Sequence, residues 1–290
     1  MDFTSRFLFH GNAAALGGRI VRHDDKAVDY VINANCECSL MPVGGRSELT
    51  IKGKEFGGGL VRFGSASTFA EGIFEDHGRL VEASRGAVPE HELVALTKLS
   101  AEVRDVEIGV KPKLKIARVS ASLQSRSPRG SGQPSITPVD KDHETAIEGV
   151  TIDGHELIVE LNLPIYRQYD THAKLLTAAD DADFVEEHGH CLFLRSGVDR
   201  RSPPQHGRLV TSPHGIHGTI VKALRWKDGG LPGAEIDHNS VKVPNFGTIF
   251  FGELMIGDRS RRLTMARVRL GSPTGGEVAL SNTEPNGSWS

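Results

Sequence analysis

The most constraining stretch of this chain is residues 146–163, which reads as a β-hairpin. Ala146, Val150 and Ile152 lead into Asp153 and Gly154, and Leu157, Val159, Leu161 and Leu163 lead out. An Asp-Gly pair tolerates the positive φ angles that a two-residue type I′ turn demands. With that pair as the loop, Ile152 faces His155, Val150 faces Leu157 and Ala146 faces Leu161. One face of the ribbon is then almost wholly apolar, while Thr151, Glu156, Glu160 and Asn162 occupy the other. That alternation is the pattern of a half-buried antiparallel sheet.

The same device recurs. Residues 248–256 and 263–270 flank Gly257, Asp258, Arg259 and Ser260, and residues 68–74 and 80–83 flank Glu75, Asp76, His77 and Gly78. Val28, Tyr30 and Ile32 alternate with polar neighbours, and Ala34, Cys36, Cys38 and Leu40 share one inward face. Same-face neighbours on a strand are ~7 Å apart, too far for Cys36 and Cys38 to form an easy disulfide. Leu99, Ala101 and Val103 alternate in one phase and Val106, Ile108 and Val110 in the other, which places a bulge or bend at Asp105. Residues 49–56, 113–123, 191–194 and 216–224 are further strands, and residues 89–92 read as one helical turn. The 33 Gly and 14 Pro in 290 residues fit many turns between short strands.

One amphipathic helix is expected near residues 170–187. Asp170 or Thr171 caps it, Leu175, Leu176, Ala179, Ala182 and Val185 recur at helical spacing, and Gly189 ends it. Asp180, Asp181, Asp183, Glu186 and Glu187 form its solvated side. The fold class that follows is mainly β, an antiparallel sandwich or barrel-like sheet built from hairpins with this helix packed against it. Residues 1–271 make one β-rich domain, with the polar Ser/Pro/Gly loop 125–138 as the place for any internal boundary. Residues 272–290 are small and polar and read as a fraying tail.

Composition narrows the function classes. A net charge of −3 gives no global attraction to nucleic acid, and no run approaches the ~18 apolar residues of a membrane span. The apolar cluster at residues 7–9 is interrupted by His10 and Asn12, so no signal peptide is expected. Three cysteines do not make a disulfide framework, and a reducing cytoplasmic setting is the default, with export by a route lacking a classical signal left open.

Sharp chemistry can be placed in one region. His188, His190, His206, His214 and His217 fall within thirty residues, with Cys191 and Asp199 among them. On an extended segment His188 and His190 would project from one side, and His214 with His217 could supply a second pair. Neutral imidazoles suit zinc, iron or copper, and Asp199 would complete a mixed site. The bland reading is a set of loop histidines titrating near pH 6.5. Other motifs are weaker. Gly57, Gly58 and Gly59 lack the Gly-Lys-Ser/Thr of a phosphate loop, and no Gly-x-Ser-x-Gly elbow occurs. Tyr169, Asp170 and His172 could form an acid–base group but equally explain a helix start, and Cys191 reads as a buried thiol. Arg259, Arg261, Arg262, Arg267 and Arg269 cluster at the last hairpin; they could grip an acidic partner, or simply solvate a sheet face.

The expectation is therefore a non-enzymatic β-rich protein that binds a protein partner or assembles with itself, with no cofactor, no nucleic acid and no membrane insertion. The rival is a metal-dependent enzyme, hydrolytic or oxidative, built on His188, His190, His214 and His217 with Asp199.

Overall fold

The computed structural model describes residues 7–22, 28–75, 93–139, 143–192, 211–212, 215–271 and 274–289. In chain order the first strands are β1 (Phe7–Leu8), β2 (Gly11–Arg22), β3 (Val28–Asn33), β4 (Glu37–Ser39), β5 (Gly45–Phe56), β6 (Val61–Phe74) and β7 (Val94–Ile108). Next come β8 (Leu114–Pro128), β9 (Ser135–Pro138), β10 (Ala146–Glu148), β11 (Val150–Ile152) and β12 (His155–Leu161). Three helices follow, α1 (Leu163–Gln168), α2 (His172–Ala178) and α3 (Ala182–Leu192). The remaining strands are β13 (Thr211–Ser212), β14 (Gly215–Thr219), β15 (Val221–Trp226), β16 (Glu235–Asp237), β17 (Ser240–Val243), β18 (Gly247–Ile256), β19 (Arg261–Leu270), β20 (Thr274–Pro285) and β21 (Ser288–Trp289).

Apart from β1 and β21, which pair with each other, these strands build two large antiparallel sheets packed face to face. One runs β15-β12-β11-β8-β7-β6-β5, with β9 and β10 also on β8; the other runs β13-β14-β18-β19-β20-β2-β3, with β4 on β2 and β17 then β16 beside β18. Strands β20 and β2 pack across β7, and β19 and β20 across β8. Neither sheet closes on itself, so the architecture is a sandwich rather than a barrel. The chain passes from one sheet to the other between β14 and β15. Buried Ile220 makes the corner, with its N–H on the Gly252 carbonyl at 2.9 Å and its carbonyl accepting the Asn162 N–H at 2.7 Å.

Both sheets share a device that lets long strands stay in contact with one core. In β7 the inward residues Leu99, Ala101 and Val103 are followed by Val106 and Ile108, a step of three instead of two. The same step separates Phe63 from Ala66 in β6 and Ile116 from Val119 in β8. Register is unshifted through the step, so Gly53, Gly64, Asp105 and Ala117 lie side by side across β5 to β8. Asp105 holds φ 53°, and Gly149, beside Ala117, holds 62°. A Cβ at Gly64 would meet Asp105 Oδ2 at 2.7 Å, and one at Gly149 would meet Ala117 Cβ at 2.7 Å, so glycine is needed at both. The second sheet repeats the pattern along Gly252, Met265, Ser281 and Ala15, with φ 58° at Gly252 and 53° at Ser281. The two creases join where buried Ser281 Oγ donates to the Val119 carbonyl at 2.9 Å.

Several expectations hold in detail. Asp153 (φ 50°) and Gly154 (φ 89°) form the hairpin turn, with Val150 opposite Leu157 and Ile152 opposite His155. His155 is half-buried with its ring edge-on to Trp226 at 6.4 Å, the 257–260 hairpin joins β18 to β19, and Ala34, Cys36, Cys38 and Leu40 are all buried.

Others are corrected. Ala146 pairs with Ser120 rather than Leu161, because Gly149 breaks the ribbon into β10 and β11. Residues 125–138 are not a loop: Arg126 pairs with Ser135 and Leu123 with Pro138. Within the expected fraying tail 272–290, the described residues 274–289 are ordered strand, since β20 lies between β19 and β2 with Val278 and Leu280 fully buried. Gly57, Gly58 and Gly59 (φ 61°, 64° and 87°) form the turn between β5 and β6. The single expected helix is two, because the chain turns at residues 179–181; the Thr171 side chain caps α2 by accepting the Lys174 N–H at 3.2 Å. Gly189 lies inside α3, and Cys191 belongs to that helix rather than to a strand. The expected hairpin partner at 80–83 and the helical turn at 89–92 lie outside the described residues. No helix among the described residues is long and apolar enough to cross a membrane.

The crease makes a clear stability prediction. Asp105→Gly should leave the urea-unfolding midpoint unchanged or raise it, because glycine accepts φ > 0 without strain. Asp105→Val should lower stability by about 1–3 kcal/mol, because a β-branched residue resists the left-handed region.

Candidate functional site

The expected metal site is only partly visible. Positions 188 and 190 lie on α3, two residues apart and therefore about 200° apart around the helix axis; they do not form the same-side pair of an extended segment. His188 sits edge-on to Phe184 at 5.2 Å and 3.6 Å from Glu187 Oε1. His217 is on β14, opposite Met255. Helix α3 packs on β14, so the elements carrying His188 and His217 adjoin. His214 and Asp199 lie outside the described residues, as does the side chain of His190. Among the described residues no group of three or more His, Cys, Asp or Glu is placed to hold a metal ion.

The region around α1 is polar, buried and satisfied. The Tyr166 hydroxyl donates to the Thr219 carbonyl at 2.7 Å. Arg261, which sequence alone placed at an exposed turn, is 1% exposed. Its guanidinium donates to the Tyr166 carbonyl at 3.2 Å and the Tyr169 carbonyl at 2.6 Å, at the C-terminal end of α1, where the helix dipole favours a cation. Burial pushes the Arg261 guanidinium down to about 10 and pushes the Tyr166 phenol up. Cys191 donates its thiol to the Val221 carbonyl at 3.4 Å, and burial raises it to about 11; a thiol so raised is no nucleophile at neutral pH. Asp170 accepts from Lys174 at 2.6 Å and Ser135 at 2.6 Å, which makes it a structural anchor for α2.

The outward faces of both sheets are charge-matched from within. Arg267 binds Glu253 through two bonds of 2.6 and 2.5 Å, reaches Glu277 at 3.0 Å, and lies over the Phe250 ring at 4.1 Å. Arg269 shares Glu277 at 3.4 Å, and Arg262 holds Glu284 at 2.8 Å. On the other sheet Arg118 bridges Glu102, Glu144 and Glu148 at 2.7, 2.9 and 2.9 Å. An open cleft of about 550 Å³ beside the Asp153 turn is lined by Lys111, Lys113 and Lys115, but Glu107 binds Lys113 at 3.1 Å and Lys115 at 2.9 Å. A phosphate approaching these arginines would have to displace a bonded carboxylate.

The candidate that remains is an edge. Among the described residues strand β5, twelve residues long, is the last strand of its sheet and pairs only with β6. Its side chains are mostly exposed, including Glu48, Lys52 and Lys54. Besides its ladder with β6, its backbone makes one bond among the described residues, the Leu49 carbonyl accepting from the Cys36 thiol at 3.7 Å. The turn leading into β5 exposes Met41 (68%) and Val43 (86%), and Phe9 N–H bonded to the Pro42 carbonyl brings Leu8 (48%) beside them. Val31, 74% exposed, lies on β3 at the edge of the other sheet. Residues 49–56 were readable as a strand, but edge position is a property of the whole sheet order; the local signal is the density of charged side chains, Arg46, Glu48, Lys52, Lys54 and Glu55.

The family model described as Domain of unknown function (DUF8256) matches residues 7–257. No curated protein and no solved structure matches the chain at a significant level.

The matched faces carry a pH prediction. Hydrogen bonds from Lys115 and Lys113 hold the Glu107 carboxyl below its usual range. A carboxylate depressed in the folded state contributes stability above its unfolded pKa and loses it as pH falls through the folded value. Stability should therefore fall between neutral pH and about pH 3, and Glu107→Gln should shrink that fall in urea-unfolding midpoints measured across the range.

Proposed function

The chain belongs to that family, and we propose that it is a non-enzymatic binding or assembly protein that presents sheet edge and loop surface to a protein partner or to copies of itself. The observation carrying this reading is the contrast between faces and edge. The partly buried arginines at the middle of the two sheets, Arg118 and Arg267, are matched within the chain, while twelve residues of β5 have one side unpaired among the described residues. Unpaired N–H and C=O rows are templates for another strand, and an exposed apolar tip beside them fits a surface that is covered in use. The reading needs neither cofactor nor nucleic acid.

A second reading, a metal-dependent hydrolytic or oxidative enzyme using His188, His190, His214 and His217, is favoured by the packing of α3 on β14. Elemental analysis of the purified chain combined with size-exclusion light scattering separates the two. The binding reading expects no stoichiometric zinc, iron or copper. Stoichiometric metal that is lost in His190→Ala and His214→Ala would overturn it in favour of the enzyme.

A further inference from the structure

Resting on the association reading, we propose that the partner of β5 is a second copy of this chain, with residues 47–53 of the two copies paired antiparallel about a two-fold axis at Thr50. Strand β5 pairs along one side with β6, and its other side is open among the described residues. In an antiparallel ladder the N–H and C=O of one residue point to the same side, and successive residues alternate. One parity of residues in β5 thus bonds to β6, and the other carries the groups that face the open side.

That alternation restricts self-pairing to registers in which odd residues meet odd residues and even residues meet even ones. Shifting the axis to Leu49 sets Arg46 against Lys52, and shifting it to Lys52 sets two lysines on each other. An axis at Ile51 draws the crease residue Gly53 into the middle of the pairing. The axis at Thr50 uses only residues up to the crease. It places Glu48 opposite Lys52 twice and Leu49 opposite Ile51 twice, with Thr50 opposite itself. Opposite charges and apolar pairs directly across a ladder stabilise it, and like charges there oppose it. Glu48 already takes Arg46 of its own chain at 3.0 Å, while Lys52 has no carboxylate partner among the described residues. The assignment gives that lysine one. Because a two-fold interface uses the same patch on both copies, it closes at two.

The test uses the full chain in size-exclusion light scattering over a concentration series, with circular dichroism to check folding. Wild type should show the mass of two chains. Glu48→Lys and Lys52→Glu should each weaken association at least tenfold, by setting like charges opposite each other, and the double variant Glu48→Lys/Lys52→Glu should restore it. Thr50→Cys should give a covalent dimer on mild oxidation, because Cα atoms of residues directly opposite in an antiparallel pair lie ~4.5–5.5 Å apart and the three native thiols are buried. A monomeric wild type overturns the second copy as partner. So does a dimer indifferent to both charge reversals, or one that Thr50→Cys fails to cross-link. A monomer free of stoichiometric metal would refute this pairing while leaving a different protein partner; stoichiometric metal would refute the association reading itself.

Discussion

The fold depends on where its strands change faces. A strand offers a core only every second residue, and the usual right-handed twist carries a long strand away from the sheet packed against it. Here β6, β7 and β8 in one sheet and β18, β19, β20 and β2 in the other step by three at one transverse line, in register with their neighbours. The step resets which side chains face inward, so β7 and β8, fifteen residues each, keep both of their halves against the opposite sheet. The cost is borne by residues at positive φ: Asp105 and Ser281, where no glycine is available, and Gly149 and Gly252, where one is. Ser281 is compensated by its bond to the Val119 carbonyl, which also fixes the two creases against each other.

The same geometry sorts the polar groups. Outward positions carry ion pairs between neighbouring strands, and where arginine is partly buried it is bonded more than once, as at Arg118 and Arg267. Individually such pairs add little stability, but they consume the charge that could have recognised an anionic ligand. The buried polar groups near α1 are consumed in another way. Tyr166, Arg261, Thr219 and Cys191 bond to backbone carbonyls that the helix end and the sheet-to-sheet corner leave open. Catalytic constellations keep a group free for substrate, and this cluster is filled.

What the sequence disclosed was local. Asp153 and Gly154 announced their turn because turn chemistry lies within two residues, and the reversal at Asp105 was visible because the apolar residues on either side name both phases. The tail was misread because β20 is built from Thr, Gly, Ser and Asn; it is a central strand only because β19 and β2 supply its burial. Gly189 resembled a helix terminator, yet α3 continues through it because packing on β14 outweighs the propensity cost of a glycine. Ile216 to Leu224 alternates evenly and still divides between two sheets at Ile220. No periodicity reports a change of partner.

An edge strand as long and exposed as β5 is a hazard that natural sheets blunt with charge, bulges or short length. This one is not short and contains no proline. It does contain the crease, and at Gly53 a Cβ would lie 2.2 Å from the Phe63 carbonyl, so the backbone there cannot be smoothed by ordinary substitution. The straight run available to an incoming strand therefore stops near residue 53, and within it Glu48 and Lys52 impose a charge order on whatever pairs. A long uniform strand could slide along such an edge and propagate. A limited run with opposite charges spaced four residues apart admits few registers, which separates an edge built for one partner from an edge open to aggregation.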